Sequence, residues 1–584
     1  MPLSPLRACF LAFTLFTTAL QSGPALAGNP GVPWPATDAL GRRLPMTAEV
    51  GPPRPDRFVA IFYFLWHEGW GDQQGPYDIA RILNADPDAL KKPNSPLWGP
   101  YGFPHYWGEP LLGYYRSDDP WVIRRHAQML ADAGVDTLIF DATNAVTYRD
   151  IYMKLCEVFT AVRKEGGRTP QIAFMVNTKA GETAQKIYDD LYKPGEFADL
   201  WFRWRGKPLL ICDPKEASPE LQKFFTLRKA HWPFEMINTP YAWHWEAAYP
   251  QPYGYTDDPK KPEQVNVSVA QNLRASDGRV TNMSNGDARG RGFHDGKLDP
   301  SRTALDRGAN FAEQWQRAYK LDPPMVMVTG WNEWYAGRFP GTGTSTFVDQ
   351  YDEQFSRDIE PMKGGHGDNF YYQLVAGIRR YKGVPPIPPV SPQPIQIDGR
   401  FEDWKAVAPE FLDTLADTDA RNHPGVGKTG PYIDKTGRND LALAKVSWDA
   451  ANIYFYIRAR HTITPHTDPN WMLLFIDIDC NPATGWLGYD FVVNRTNVRP
   501  GTTTLERCLG GYRWGAPVDI PYRVSGNEME LAIPRSALGL TKLPATIDFK
   551  WADNIQQTGE ASDFSLHGDV APNERFNFRV EIAR

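Results

Sequence analysis

The stretch MVMVTGWNEW at residues 325–334 is the clearest indication of the fold. A short apolar run of this kind is typical of a strand that is buried on both faces of a parallel sheet. It ends in Gly-Trp-Asn-Glu-Trp, so polar groups follow the strand immediately. In a barrel of alternating strands and helices, reactive groups collect where strands end and loops begin. The stretch therefore predicts a barrel strand with functional side chains at its carboxyl end.

Similar apolar runs alternate with helical patterns through the first two thirds of the chain. The runs cover residues 58–66, 136–144, 171–178, 208–214, 234–240 and 265–272, with a weaker one from Thr346. The helical patterns cover residues 120–134, 148–164, 182–191, 219–230, 305–319 and 369–381. Eight strands, each followed by a helix, favour a (β/α)8 barrel. The alternative is an open doubly wound sheet, but no Gly-rich phosphate loop follows any strand.

A proline-rich segment at 383–394 divides the chain of 584 residues. Six prolines in twelve residues exclude a helix or a central strand there, so the segment reads as an extended spacer. After it, short β-rich runs alternate with Asn, Asp, Gly and Pro, which predicts an all-β sandwich. The resulting organisation is a signal peptide at 1–27, a barrel at 28–382, a linker at 383–394 and a β-sandwich at 395–584.

The amino terminus indicates export to the periplasm or secretion. Arg7 precedes an apolar stretch at 8–20, and a small-x-small site ends at Ala27. That stretch is short for a membrane span, so a cleaved signal peptide is favoured over an uncleaved anchor. No later segment reads as a membrane span. The formal net charge is −6 without any basic tract, which makes nucleic acid a poor partner.

The cysteines and the common catalytic motifs narrow the chemistry. Cys156 and Cys212 lie in apolar runs and read as buried small hydrophobes. Cys480 and Cys508 fall in one domain of an exported chain and could pair, although connectivity cannot be read from sequence. The sequence contains no HExxH, GxSxG or P-loop motif, and no histidine cluster with catalytic-zinc spacing. Nucleophilic serine or cysteine chemistry therefore lacks support.

Glu333 is the first candidate for a catalytic carboxylate. It stands between Trp331 and Trp334 after an apolar strand, with Asn332 beside it. Indole faces pack on sugar rings, Asn332 can bind a hydroxyl or orient Glu333, and glycoside cleavage requires carboxyl groups. The alternative is a buried structural glutamate bonded to the backbone.

Two further carboxylates follow predicted strands or aromatic runs. Asp141 ends the run at 136–144, where it can act in catalysis, hold hydroxyls or form an Asx-turn. Glu246 follows Trp243 and His244, an aromatic stretch that reads either as a binding wall or as a packed surface loop. Apolar neighbours would keep Glu246 protonated, as a general acid requires. Asn177, Gln271 and His105 are weaker candidates for binding hydroxyls.

The barrel part resembles the glycoside hydrolase family 71/99-like group, which includes endo-α-mannosidases. The resemblance rests on YYRSDDPWVIRRHAQMLADAGVDTLIFD at 114–141, on WNEW at 331–334 and on overall length and order. It implies a (β/α)8 barrel with its site at the strand ends, and a pair of catalytic glutamates in the pattern Asn-Glu-Trp-x-Glu. The first glutamate corresponds to Glu333, but the second falls on Ala336, which cannot transfer a proton. Asp141 or Glu246 would then have to supply the acid, and mannose specificity is not implied.

The carboxyl-terminal part resembles family 9-type carbohydrate-binding modules and DOMON-like domains. The matching stretches are IDGRFEDW at 397–404, IYFYI at 453–457, FIDID at 475–479, TGW at 484–486 and GYD at 488–490. Related modules can hold calcium, and the alternating oxygens of Asp477, Asp479 and Asn481 suit Ca²⁺. The alternative is a carboxylate-rich turn without an ion. Candidate sugar-stacking aromatics are Trp486, Tyr512 and Trp514.

These observations together predict an exported glycoside hydrolase that acts on a polysaccharide or glycan. Catalysis would need no cofactor, while Ca²⁺ would belong to the carboxyl-terminal domain. Two alternatives stay open: a non-catalytic glycan-binding protein, which Ala336 favours, and a carbohydrate lyase, which would use tyrosine or histidine bases. The sugar, the linkage and the oligomeric state are not encoded in any motif.

Overall fold

The computed structural model describes residues 27–68, 74–235, 237–540 and 543–582. The predicted signal peptide at 1–27 lies outside these residues apart from its last position. Among the residues described, no helix combines the length and the apolar character needed to cross a bilayer.

The first part of the chain forms eight parallel strands that follow one another around a barrel in sequence order. The strands are β1 (Phe58–Tyr63), β2 (Thr137–Ala142), β3 (Gln171–Val176), β4 (Lys207–Ile211), β5 (Thr226–His231), β6 (Ala242–His244), β7 (Gln264–Ser268) and β8 (Met325–Thr329). A short strand, Arg203–Trp204, pairs antiparallel with β4. The predicted (β/α)8 barrel is confirmed.

Helices on the outside connect most of these strands. They are α1 (Pro120–Ala133), α2 (Arg149–Lys164), α3 (Ala180–Ile187), α4 (Pro219–Phe224), α5 (Ala309–Leu321) and α6 (Asn369–Lys382). Asp119 caps α1 by accepting a hydrogen bond from the Trp121 N–H at 3.0 Å, and Gly134 ends α1 with φ of 89°. In the described parts of the β5–β6 and β6–β7 connections no helix forms, so the barrel has fewer outer helices than strands.

Alternation along each strand divides the barrel interior from the layer under the helices. In β1, Phe58, Ala60 and Phe62 belong to the inner cluster with Met325 and Met327 of β8. The intervening residues of β1 belong to the outer cluster, which includes the helix residues. Both faces are buried, because helices cover the outside of a parallel sheet and side chains fill its inside.

The barrel closes between β6 and β7 through side chains rather than a main-chain ladder, and Gln264 makes the main contact. Gln264, at the start of β7, accepts a hydrogen bond from the His244 N–H at 2.9 Å and donates one to the His244 carbonyl at 2.9 Å. The primary amide thus takes the place of a peptide group in the ladder. Because β6 has only three residues, these two hydrogen bonds satisfy the His244 N–H and carbonyl, which would otherwise be buried without partners.

Two predicted barrel strands are wrong. The described residues of 234–240 form no strand, whereas the fifth strand is β5 at Thr226–His231, which overlaps the predicted helix at 219–230. The helix ends at Phe224 because Thr226, a β-branched residue, begins pairing with Leu209 of β4. The weak run from Thr346 forms Ser345–Phe347, which lies outside the barrel. The missing strand is the short β6.

A small mixed sheet forms from the long connections that follow β1 and β8. Its strands are Tyr77–Asp78, Pro104–Tyr106, Tyr335–Pro340 and Ser345–Phe347. Further short elements in this part of the chain are Thr47–Val50, Ile79–Ala85, Gln271–Arg274, Ala288–Arg289, Phe293–His294, Lys297–Leu298 and Arg302–Arg307. The long connections therefore carry ordered structure of their own at the carboxyl ends of the strands.

The carboxyl-terminal part is an antiparallel β domain, as predicted. Its main strands are Phe411–Leu412, Leu441–Trp448, Asn452–Ala459, Leu473–Asp477, Phe491–Val493, Thr502–Arg507, Val518–Ser525, Glu528–Pro534, Ala545–Asp553, Asp569–Ala571 and Phe578–Ile582. A two-stranded sheet, Arg421–Pro424 with Pro431–Asp434, stands apart from them. Phe455 and Phe549, from strands on opposite sides of the core, pack at 5.4 Å between ring centroids.

A buried boundary joins the β domain to the barrel part. Trp34, from the segment before β1, packs against Phe411 at 5.6 Å and Phe578 at 5.0 Å. Arg421 of the β domain forms an ion pair with Asp119 at 2.8 Å, so the cap of α1 is also an interdomain contact. The division at residues 383–394 stays a prediction. The shared boundary implies that the two parts support each other.

The cysteines form no disulfide in the described residues. Cys156 and Cys212 are buried, as expected, while Cys480 and Cys508 are half-buried free thiols. Cys480 lies near the Thr546 carbonyl and Cys508 near the Gly511 carbonyl. The possible Cys480–Cys508 pair is therefore not formed.

Replacing Gln264 with methionine should destabilise the barrel. The substitution keeps the side-chain length but leaves the His244 N–H and carbonyl without partners, which should lower the free energy of unfolding by about 2–5 kcal/mol. Urea unfolding followed by tryptophan fluorescence measures the loss. The exposed Gln396→Met is the matched control and should have little effect. Equal stabilities of the two variants would contradict the role of Gln264 in closure.

Candidate active site

Acidic side chains gather at the carboxyl ends of the barrel strands. Asp141 lies near the end of β2, Glu246 follows β6 and Glu333 follows β8. A fourth acid, Asp349, lies in the connection between β8 and α6. Parallel strands bring their carboxyl ends to the same mouth of a barrel, so these acids come from distant parts of the sequence to one region.

Arg357 connects two of the predicted carboxylates. Its Nη1 lies 3.3 Å from Glu246 Oε2, and its Nη2 lies 3.0 Å from Glu333 Oε2. All three side chains are buried. Because both glutamates approach one planar guanidinium, their nearest oxygens are separated by less than about 9 Å. The structure therefore brings Glu246 and Glu333 together, as a carboxylate pair requires.

Glu333 is held by several contacts at one edge of its carboxylate. Gln350 donates to Glu333 Oε2 at 2.6 Å, and the Glu333 backbone N–H donates to Asp358 Oδ1. Gln350 also accepts the Arg357 N–H at 2.9 Å, so the same loop fixes both members of the ion pair. No donor of the described residues reaches Glu333 Oε1. The carboxylate is rigidly placed and keeps one oxygen for other interactions.

The buried acids at the mouth have raised pKa values. Burial raises the pKa of Glu246 to about 7, although Arg357 and the Asn272 N–H lower it. Burial also raises the pKa of Glu333 well above its ordinary value, and the negative charges of Asp349 and Asp358 add to the effect. A carboxyl group of raised pKa can hold a proton near neutral pH, which is what a general acid needs.

Asp349 is the functional candidate that the sequence did not reveal. Its carboxylate lies 3.9 Å from Arg357, and 44% of its side chain is exposed. The walls of the mouth nevertheless raise the pKa of Asp349, and its charge in turn raises the pKa values of Asp141, Glu246 and Glu333. Of the four acids at the mouth, Asp349 is thus the most accessible to a ligand. Asp349 lies on a long connection rather than at a strand end, so strand patterns could not identify it.

Asp141 is buried and serves its own loop. Its Oδ1 accepts the Thr143 N–H at 2.9 Å, an Asx-turn of the kind considered in the sequence. Burial raises its pKa. This placement is compatible with positioning a substrate, and its role stays a prediction.

An aromatic wall lies beside the acids. Trp232, after β5, is half-buried and packs on Trp245 at 5.2 Å, and Trp245 lies under the Arg357 guanidinium at 4.8 Å. Trp232 donates to Asn177 Oδ1 at 2.9 Å, which brings the exposed Asn177 of the sequence prediction into the same wall. Such a surface suits stacking on a sugar ring. Trp245 belongs to the aromatic stretch that the sequence analysis interpreted as either a binding wall or a packed loop, whereas Trp232 was not singled out.

Trp331 and Trp334 are fully buried. Trp331 packs on His126 at 5.5 Å, and Trp334 stacks on Trp107 at 4.8 Å. Asn332 accepts the Phe64 N–H at 2.9 Å, so it joins the ends of β8 and β1. That Trp331, Asn332 and Trp334 contact the substrate stays a prediction, and the burial of all three side chains argues against it. In the structure these residues support Glu333 from behind.

Four other predicted binding residues also have internal partners. Trp243 donates to Glu263 at 2.9 Å and His244 lies within 3.1 Å of Asn238 Oδ1. Gln271 contacts the Ser268 carbonyl at 3.5 Å, and His105 contacts the Phe103 carbonyl at 2.9 Å. All four are buried. Burial lowers the pKa of His244 to about 3 and that of His105 to about 4, so both histidines are neutral near pH 7.

Ala336 is buried in the small mixed sheet opposite His105. The position that a second glutamate takes in the resembled pattern is therefore part of a packed strand here. An acid at the mouth must come from another element.

In the β domain, the predicted calcium ligands are only partly brought together. Asp477 and Asp479 lie close to Asp490, whereas Asn481 instead accepts the Ala483 N–H at 3.1 Å within the turn. Asp477 Oδ1 accepts the Asp479 and Cys480 N–H groups, so the turn is already satisfied internally. The aromatic candidates Trp486, Tyr512 and Trp514 pack on one another, and Trp486 and Trp514 also pack on Phe475. Calcium and sugar binding here stay predictions.

Comparisons with known proteins give a distant likeness. No family model and no curated protein matches the chain. Among solved structures, two of the GH99 endo-α-mannosidase from Bacteroides thetaiotaomicron are similar to it, one of them in complex with bis-tris-propane. They are 14% and 15% identical, with TM-scores of 0.31 and 0.33, and each comparison covers 56% of this chain and 97% of the other.

The stability of the protein should fall as the pH rises through the range of Glu246. Its folded-state pKa is about 7 against an ordinary value of 4.5, so between these values the folded state retains a proton that the unfolded state has lost. Raising the pH then disfavours the folded state by up to about 1.4 kcal/mol per pH unit for this group. Unfolding at pH 4.5, 5.5 and 7 measures the slope. Glu246→Gln should make this slope shallower, while Glu333 and other buried acids keep part of it. The exposed Glu182→Gln should leave the slope unchanged; equal slopes of the two variants would contradict the assignment.

Proposed function

We propose that this protein is an exported glycoside hydrolase that cleaves a polysaccharide or glycan at the carboxyl-terminal mouth of its barrel. The observation that supports this most directly is the group of acids joined by Arg357: Glu246, Glu333 and the accessible Asp349. Hydrolysis of a glycosidic bond needs two carboxyl groups, one of which holds a proton at the working pH. This group of acids would supply both a carboxylate and a protonated carboxyl group.

Glu333 is proposed as the carboxylate that acts as base or nucleophile. Arg357 and Gln350 bind its Oε2 and fix its orientation, which leaves Oε1 for the reaction. Burial raises the pKa of Glu333, and the Arg357 guanidinium opposes this by favouring the ionised form that a nucleophile or base requires. A carboxylate fixed by two donors loses little freedom when the substrate arrives.

Asp349 is proposed as the acid that protonates the leaving oxygen. Glu246, the acid favoured from the sequence, is completely buried and bonded to Arg357 and the Asn272 N–H. A general acid must come within hydrogen-bonding distance of the oxygen that it protonates. Asp349 has the exposure for this, while its surroundings raise its pKa. Glu246 and Asp141 then act as positioning residues.

The substrate would lie against the half-buried Trp232, which packs on the buried Trp245, with Asn177 binding a hydroxyl. Indole faces offer apolar stacking surface, and an exposed amide can donate and accept hydrogen bonds. The β domain is proposed to assist by binding sugar, as its resemblance to carbohydrate-binding modules implies. A panel of polysaccharides with product analysis would identify the sugar and the linkage.

A non-catalytic glycan-binding protein is the second candidate. Two observations favour it: Ala336 stands where the resembled pattern has an acid, and Glu246 is enclosed in an ion pair rather than open to the mouth. In that case the barrel mouth would bind glycan through the same tryptophans but release it unchanged. A carbohydrate lyase, the third possibility from the sequence, lacks a specific supporting contact.

Replacing Glu333 with glutamine should abolish hydrolysis of the substrate that the panel identifies. The amide keeps the shape but cannot act as base or nucleophile, so kcat should fall by at least about 10³-fold. Initial rates measure this, with a melting curve to show that the variant is folded. The exposed Glu182→Gln is the control and should keep full activity. A Glu333→Gln enzyme near wild-type activity would refute the assignment.

The acid can be identified with two kinds of substrate. Aryl glycosides with an activated leaving group need little protonation, so loss of the acid should spare their cleavage while that of the natural glycan falls. We expect this split for Asp349→Asn. If Glu246→Gln or Asp141→Asn shows it instead, that residue is the acid. If Asp349→Asn impairs both substrates equally, its role is structural.

A further inference from the structure

Three buried aspartates meet where the β domain faces the barrel. Asp440 directly precedes the strand Leu441–Trp448, Asp569 begins the strand Asp569–Ala571, and Asp417 lies in the loop after Leu412. One carboxylate oxygen of each lies within 4.8 Å of one oxygen of each of the others. Their exposed fractions are only 3% for Asp417, 6% for Asp440 and 3% for Asp569. Like charges this close and this buried are strongly unfavourable unless something neutralises them.

Each of the three aspartates accepts a hydrogen bond from the described residues at one of its carboxylate oxygens. Asp417 Oδ2 accepts from Gln128 at 2.9 Å, Asp440 Oδ2 from the Ala416 N–H at 2.9 Å, and Asp569 Oδ2 from the Leu441 N–H at 2.6 Å. Asp417 Oδ1 and Asp440 Oδ1 are buried and accept no hydrogen bond from the described residues. Buried acceptors without a partner are rare in folded proteins because each costs free energy.

The nearby basic groups do not complete the cluster. Arg125 approaches Asp417 Oδ2 at 3.6 Å, and Arg460 approaches Asp440 Oδ2 at 3.3 Å. Both guanidinium groups therefore approach an oxygen that already accepts a hydrogen bond. Asp413 adds a further acid, since its charge interacts with Asp417 and Asp569, and the buried Lys550 is a cation that interacts with Asp413 and Asp569. Asp417 Oδ1 and Asp440 Oδ1 still receive no hydrogen bond from the described residues.

We propose that Asp417, Asp440 and Asp569 form a binding site for a hard divalent cation, with Ca²⁺ the best fit. The donors are oxygens only, which suit Ca²⁺ and Mg²⁺ rather than Zn²⁺. Calcium–oxygen distances of about 2.3–2.6 Å place two ligand oxygens up to about 5 Å apart, and the cluster meets this limit. The site is distinct from the turn at Asp477, where backbone N–H groups already bind the carboxylate.

The cation would fix the boundary between the two parts of the chain. It would join three separate segments of the β domain, and Asp417 is bonded through Gln128 to helix α1 of the barrel. Neutralising the cluster removes repulsion from the folded state alone, because the three aspartates are far apart in the unfolded chain. Binding to the folded state alone stabilises a protein by mass action. The melting temperature should therefore depend on the cation.

The test uses the full chain after removal of metals with a chelator. Calcium chloride, and separately magnesium chloride, is titrated back while the melting temperature is followed. We expect calcium to raise it by at least about 3 °C, with a smaller effect of magnesium. Asp440→Asn should remove the response. Asp479→Asn, in the other acidic cluster of the β domain, is the matched control and should keep it.

Calorimetric titration of stripped Asp479→Asn protein with calcium tests the site even if Asp440→Asn does not fold. Binding of one calcium per chain is expected. No binding there, or a calcium response that survives Asp440→Asn and is lost in Asp479→Asn, would overturn the proposal. A metal-free protein that is stabilised by acid and does not respond to calcium would show that protons neutralise the cluster instead.

Discussion

The arrangement at the barrel mouth depends on one buried guanidinium. Arg357 is the positive charge that allows Glu246 and Glu333 to lie close together out of contact with water. Removing one partner of a buried ion pair leaves an uncompensated charge, which typically costs about 3–5 kcal/mol. Because Arg357 comes from the β8–α6 connection, that long loop must be in place before the strand-end acids are stable. The loop is thus part of the site and not a cover over it.

The sequence predicted the barrel well where strands are long and their apolar runs continuous. The runs containing β1, β2, β3, β4, β7 and β8 were placed correctly because burial on both faces leaves a plain hydrophobic signature. It failed at β5, whose residues also have helical spacing, and at β6, which has three residues. At β6, tertiary pairing and the Gln264 side chain replace local propensity, and neither is visible in a window of sequence.

The candidate site was also predicted only in part. Glu333 and Asp141 could be found because their strand ends can be located from sequence, and Glu246 was found from its aromatic stretch. Arg357 and Asp349, in contrast, lie in an irregular connection without periodicity. Residue type alone also could not distinguish a tryptophan that faces the barrel mouth from one that packs inside the protein. Trp331 and Trp334 flank Glu333 in sequence, but consecutive side chains point in different directions, and both indoles pack into the protein. The more accessible indole, Trp232, lies between the predicted helix at 219–230 and the predicted strand at 234–240, where no element was predicted.

Closure through the Gln264 amide has a consequence for motion. Elsewhere around the barrel, neighbouring strands are joined by main-chain ladders of several hydrogen bonds, but β6 and β7 are joined by side chains, through the Gln264 amide and the Trp243–Glu263 hydrogen bond. A side chain can rotate away without disturbing any φ or ψ angle, so this seam can separate while the other seven strand pairs stay intact. The barrel therefore has a built-in line of weakness beside Glu246. Breathing along it would change the width of the mouth without unfolding the core.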